Sequence, residues 1–115
     1  MFNYTQLDPQ KVTFYSIAPL ADLPNGERLF FEIEDKPIAI FNIAGQIFAI
    51  GDLCTHDDGP LGDGDIEDHN IVCPRHGAEF DVRTGQVKMM PAVQDIPAYP
   101  VRIVDNVIEV GIPSE

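Results

Sequence analysis

Hydrophobic positions in this chain come in short bursts separated by turn-forming residues. TFYSIA at 13–18 and RLFFEI at 28–33 are rich in aromatic and β-branched residues, and Pro24, Asn25 and Gly26 mark a turn between them. PIAIFNI and QIFAI flank Ala44 and Gly45, the pattern of a hairpin. NIVC at 70–73 starts another strand, CPRHG interrupts it, AEFDV continues it, and Arg83, Thr84 and Gly85 turn the chain again. VRIV and VIEV, on either side of Asp105 and Asn106, predict a closing hairpin. ADLP at 21–24 has room for a single helical turn, and no longer stretch carries a helical period. The pattern predicts an all-β chain, a sandwich or barrel of short antiparallel strands.

Two stretches depart from that rhythm. Residues 51–68, GDLCTHDDGPLGDGDIED, are rich in glycine and acid and hold neither the period of a strand nor that of a helix. They predict a long loop, which in a compact domain usually has a function. The second is a proline-rich connection with Pro91, Pro97 and Pro100, preceded by Met89 and Met90, which are expected to fill gaps in a loop or core. Neither repeats nor a linker divide the 115 residues, so a single domain over 1–115 is expected, long enough to bury a core.

Composition narrows the class of function. A chain with 44% hydrophobic and 23% charged residues is of ordinary soluble type. The most apolar window, PIAIFNIAGQIFAIG, is broken by Asn42, Gly45 and Gln46, so no membrane span is expected. MFNYTQLDPQ lacks the basic and apolar regions of a secretory signal, and the expected compartment is the cytoplasm. With 19 acidic against 7 basic residues the net charge is -12, which disfavours nucleic acid and favours partners with basic patches.

The two cysteines each have a histidine close by: Cys54 with His56, and Cys73 with His76, with sixteen residues between the pairs. In a reducing compartment such cysteines are metal ligands or thiols more often than a structural disulfide. Two sulfur and two nitrogen donors suit either tetrahedral zinc or an iron-sulfur centre. Zinc fingers of the Cys2His2 type keep like with like, whereas here each loop offers one of each. That mixed pairing fits a two-iron cluster with both thiolates on one iron and both imidazoles on the other. A Cys-His nucleophile would need one such pair and an orienting third group, and two pairs are present. The remaining histidine, His69, sits between Asp68 and Asn70 and is expected to be a solvated turn residue.

CTHDDGPLGDG at 54–64 and CPRHGAEFDVRTG at 73–85 resemble the two ligand boxes of the Rieske 2Fe-2S proteins, and PAVQDIPAYPV at 91–101 is similar to the proline loop that covers the cluster in that family. The resemblance implies a Rieske fold, an antiparallel β-sandwich or barrel base carrying a small cluster-binding subdomain of two loops at about 51–85. It implies one 2Fe-2S cluster held by Cys54, His56, Cys73 and His76, the cysteines on the inner iron and the histidines on the outer one. Two ferric ions, two sulfides and two thiolates sum to zero charge, so the potential lies above that of an all-cysteine cluster, within about -150 to +300 mV.

High-potential members of the family have an extra cysteine in each box and Ser and Tyr donors after the second histidine; here those positions hold Gly59, Arg75, Ala78 and Phe80. The resemblance therefore implies a low-potential ferredoxin, a monomer carrying one electron from a flavoprotein ferredoxin reductase to a terminal aromatic-ring oxygenase. An oxygenase would need a further iron held by two histidines and a carboxylate, and only His69 is left over. A small subunit of an assimilatory nitrite reductase and a zinc-stabilised binding module are the alternatives. The acidic residues Asp57, Asp58, Asp63, Asp65, Glu67 and Asp68 either keep the loop solvated or steer basic partners to it.

Overall fold

The computed structural model describes residues 9–53, 60–74, 77–90 and 94–113. They form eleven strands: β1 (Val12–Pro19), β2 (Arg28–Ile33), β3 (Lys36–Ile43), β4 (Gln46–Gly51), β5 (Ile66–Glu67), β6 (Asn70–Val72), β7 (Glu79–Asp81), β8 (Val87–Met89), β9 (Ala98–Tyr99), β10 (Val101–Val104) and β11 (Val107–Pro113). The helical content among the described residues is two short 3-10 turns, Pro9–Lys11 and Leu20–Asp22, the second at the place where one helical turn was expected. No described helix is long and apolar enough to cross a membrane.

The strands make three antiparallel sheets, ordered β1-β11-β10, β2-β3-β4-β9 and β5-β6-β7-β8. The second sheet is central because both of its faces are apolar. Along β3, Ile38 and Ile40 point to one side and Ala39 and Phe41 to the other, and all four are buried. An antiparallel strand covered on both faces loses the usual alternation, which is why PIAIFNI reads as an almost unbroken apolar run. On one face Ile38, Ile40 and Ala49 pack with Leu23, with Tyr99 of β9, and with Ile108, Val110 and Ile112 of the β1-β11-β10 sheet. On the other face Ala39, Phe41 and Ile50 pack with Leu61, Ile71, Cys73, Ala78, Phe80, Val82 and Ile96. Complete burial of one such isoleucine or leucine is worth about 1.5–3 kcal/mol.

The two apolar hairpins form as expected, β3 to β4 around Ala44-Gly45 and β10 to β11 around Asp105-Asn106. The loop 51–68 contains β5 at its far end, and the proline-rich connection contains β8 and β9, none of which the hydrophobic pattern indicated. These strands have two or three residues, too few for a period to register. Met89 and Met90 are exposed and fill no core; Met89 ends β8, the outer strand of its sheet.

The β3-β4 turn has φ +54° at Ala44 and +89° at Gly45, the left-handed pair of a type I′ turn. Asn25 Oδ1 accepts from Ala44 N at 2.8 Å and Asn42 Oδ1 accepts from Gly45 N at 2.9 Å, so side chains hold the turn from both sides. Alanine is the wrong residue for a left-handed conformation, since its Cβ crowds the following carbonyl. Ala44→Asn is expected to raise stability by about 0.5–1 kcal/mol, read as a higher thermal midpoint.

Candidate metal centre

Of the four predicted ligands, Cys73 belongs to the described part of the structure; Cys54, His56 and His76 lie outside it, as do Asp57, Asp58, Gly59, Arg75 and Pro91. Cys73 follows directly from β6 and is 2% exposed. Its amide donates to Ala78 O at 2.7 Å and its carbonyl accepts from Gly77 N at 3.0 Å, so Cys73 is bonded back to Gly77 and Ala78. Around it stand Leu61, Ile71, Ala78 and Phe80, all fully buried. A thiol walled in by hydrocarbon at the mouth of a closed turn fits an inner metal ligand and does not fit an exposed nucleophile.

The first loop returns against this same strand. Val72 N donates to Asp65 O at 2.9 Å, so the end of the first box lies alongside the residue before Cys73. The loop leaves β4 through Gly51 and Asp52, whose amides donate to Pro97 O and Pro37 O, each at 2.9 Å. Its return leg is bound by side chains. Asp52 Oδ1 accepts from Leu61 N at 2.8 Å and from Gly62 N at 2.5 Å, and Arg28 NH1 donates to Gly62 O and Gly64 O at 2.6 and 2.7 Å. The structure thus brings the roots of the two boxes together. Arg28 and Asp52 were not singled out from the sequence; the signal available was an aspartate at the start of a glycine-rich loop, a residue type that caps backbone N–H groups.

The second box ends in another carboxylate knot. Asp81, buried in β7, accepts from Arg83 N at 2.8 Å, from Arg83 Nε at 3.0 Å and from Arg83 NH2 at 2.8 Å. Its backbone carbonyl accepts from Gly85 N at 2.7 Å. Gly85, at φ +78°, accepts at its carbonyl from Ile96 N at 2.8 Å, and a Cβ there would stand 1.9 Å from Ile96 O. Only glycine lets the end of the second box dock on the segment entering β9. His69 departs from expectation: it is half-buried with its ring edge-on to Phe48, centroids 5.8 Å apart, and its carbonyl accepts from Val82 N. It is a packing residue of the β5-β6 turn. The acids Asp63, Asp65, Glu67 and Asp68 are exposed, as a charged loop face requires.

Residues 13–100 match the Rieske [2Fe-2S] domain. The chain belongs to the Rieske [2Fe-2S] family. It is 43% identical over 77 residues to an anthranilate 1,2-dioxygenase ferredoxin subunit of Burkholderia cepacia, covering 67% of this chain and 71% of that one. It is 38% identical over 98 residues to a 3-phenylpropionate/cinnamic acid dioxygenase ferredoxin subunit of Shigella boydii, covering 84% of this chain and 91% of that one. In structure it is similar to the ferredoxin of carbazole 1,9a-dioxygenase from Nocardioides aromaticivorans IC177, with TM-score 0.81 and 30% identity over 89% of this chain and 99% of that one. The Rieske protein is therefore an electron-carrying ferredoxin whose cofactor is a Rieske-type 2Fe-2S cluster.

Burial pushes the Asp81 carboxyl up, but the hydrogen bonds and charge of Arg83 outweigh it and hold the group below its ordinary value. A carboxylate with a lowered folded pKa stabilises the fold above its unfolded pKa of about 3.9, and that contribution is lost as pH falls through the folded value. Asp81→Asn is expected to lower the unfolding midpoint at pH 7. The gap from the parent protein should narrow as the medium is taken below about pH 4, followed by denaturant unfolding at several pH values.

Proposed function

We propose that this ferredoxin is a low-potential one-electron carrier between a flavoprotein ferredoxin reductase and a terminal oxygenase of the aromatic-ring dioxygenase type, acting as a cytoplasmic monomer. Its cluster-binding part is about 51–85, and Cys54, His56, Cys73 and His76 are the ligands. The observation that carries this reading is the buried Cys73 turn lying against the root of the loop that bears Cys54 and His56. When bound, the cluster supplies one-electron redox chemistry. The protein's own part is to hold two thiolates and two imidazoles in place, to keep water from the inner side, and to present a charged rim.

The low potential rests on Ala78 and Phe80. Both are fully buried in the wall around Cys73, and neither has an O–H to donate. Extra electron density on sulfur in the reduced state is stabilised by hydrogen-bond donors nearby, and hydrocarbon at these two places withholds them. The runner-up reading, a subunit built into a larger reductase, is disfavoured by the ferredoxin subunits among the relatives, which this chain matches over two thirds or more of its length.

Aerobically purified protein is expected to contain iron and acid-labile sulfide in equal amounts and, after dithionite, a rhombic EPR signal averaging below the free-electron g value; a colourless protein with stoichiometric zinc sinks the reading. Substituting Ala78→Ser and Phe80→Tyr together is expected to raise the reduction potential by roughly 60 mV for each hydrogen bond worth about 1.4 kcal/mol, measured by redox titration. The exposed Asp63, Asp65, Glu67 and Asp68 give the rim its sign. Electron transfer to partners should accordingly slow as ionic strength rises, because such steering is screened beyond about 8 Å at physiological salt; a rate independent of salt removes the steering role.

A further inference from the structure

We propose that Asp52 and Arg28 form a clasp that positions the first ligand loop, making them positioning residues for Cys54 and His56 that act on the cluster without touching it. This inference rests on the ligand assignment above. The loop leaves the central sheet at Asp52 and comes back at Leu61, and one carboxylate oxygen, Asp52 Oδ1, spans its mouth by accepting from both Leu61 N and Gly62 N. The departure side is fixed independently by Asp52 N on Pro37 O. On the return side Arg28 NH1 takes the carbonyls of Gly62 and Gly64. The guanidinium carbon of Arg28 lies 5.4 Å from the centroid of the Phe41 ring, a buried side chain of β3, so the arginine is itself seated on the sheet.

The return leg has no slack. A Cβ on Gly62 would stand 2.4 Å from Phe30 Cε1 and 2.9 Å from Ala39 Cβ, and one on Gly64 would stand 1.8 Å from Val72 O. Leu61 between the clasp and the core is fully buried. The points where the ligand loop leaves and rejoins the sheets, Asp52 and Leu61-Gly62, are therefore each tied down by hydrogen bonds. The clasp sits half-buried beside Leu61, so its charge-assisted bonds are less screened than on an open surface. Its function is to present two donors of one loop at a constant spacing from the Cys73 turn, whose own geometry is closed separately by Ala78 and Gly77.

The experiment compares the intact ferredoxin with Asp52→Ala and Asp52→Asn. Asparagine keeps an oxygen acceptor at the same place, alanine does not. The readouts are the g values of the reduced protein and the rate at which visible absorption bleaches in the presence of an iron chelator. Asp52→Ala is expected to shift the g values and to bleach about tenfold faster, the usual size of an outer-partner effect, while Asp52→Asn stays close to the parent. A folded Asp52→Ala with the parent g values and bleaching rate overturns the proposal, as does an asparagine variant that fails as badly as alanine. Should Asp52→Ala not fold, Arg28→Met is judged by the same two readouts, with a parent-like signal and rate again overturning the clasp. A parent protein without the iron-sulfur signal removes the ligand assignment itself, which sets that failure apart from a failure of the clasp alone.

Discussion

A sheet that is apolar on both faces has to be covered twice, and the architecture follows from that need. Ile38 and Ile40 face one way along β3 and Ala39 and Phe41 the other, all withdrawn from water. The β1-β11-β10 sheet covers the first face with the regular alternation of Ile108, Val110 and Ile112. The second cover is made from very short strands, β5 to β8, and the connections from β6 to β7 and from β7 to β8 are longer than the strands they join. The short strands leave chain to spare for the loops that carry the proposed ligands, while Ile71, Phe80 and Val82 still anchor them in the core. The apolar wall that satisfies the central sheet is the same wall that surrounds Cys73.

Polar groups at the roots of the loops are handled by carboxylates. Backbone N–H groups in a turn that is pressed on a core cannot all reach water, and leaving one unpaired costs about 1–3 kcal/mol. Asp52 serves two of them at the first box, and Asp81 serves Arg83 N at the second while its charge is matched by the same residue's guanidinium. Buried side-chain nitrogen and oxygen atoms among the described residues all find a partner. At the roots of both loops, then, the backbone donors are met by carboxylates on or beside strands.

The long strands were legible from the amino-acid order, because an apolar run or an alternation over six to eight residues has a measurable period, as in RLFFEI and KPIAIFNI. Turn chemistry placed the Ala44-Gly45 and Asp105-Asn106 hairpins in the same way. β5, β8 and β9 were not legible: a pair of residues has no period, and what makes Ala98 and Tyr99 a strand is the neighbouring β4, with Ala49 opposite Tyr99. Met89 and Met90 misled because hydropathy says nothing of which side of an outer strand faces the core. The four proposed ligand positions come from spacing and residue type, and Cys73 is the one that the structure describes. Arg28 was invisible, since its partners Gly62 and Gly64 are more than thirty positions away and are reached through backbone atoms that any sequence possesses.

The register of β1 against β11 sets Val12 opposite Pro113, so the two extremities of the folded core emerge side by side. They do so from the sheet on the far side of the central layer from β5 to β8. A tag fused beyond Val12 or Pro113 would therefore start from the layer opposite the Cys73 turn.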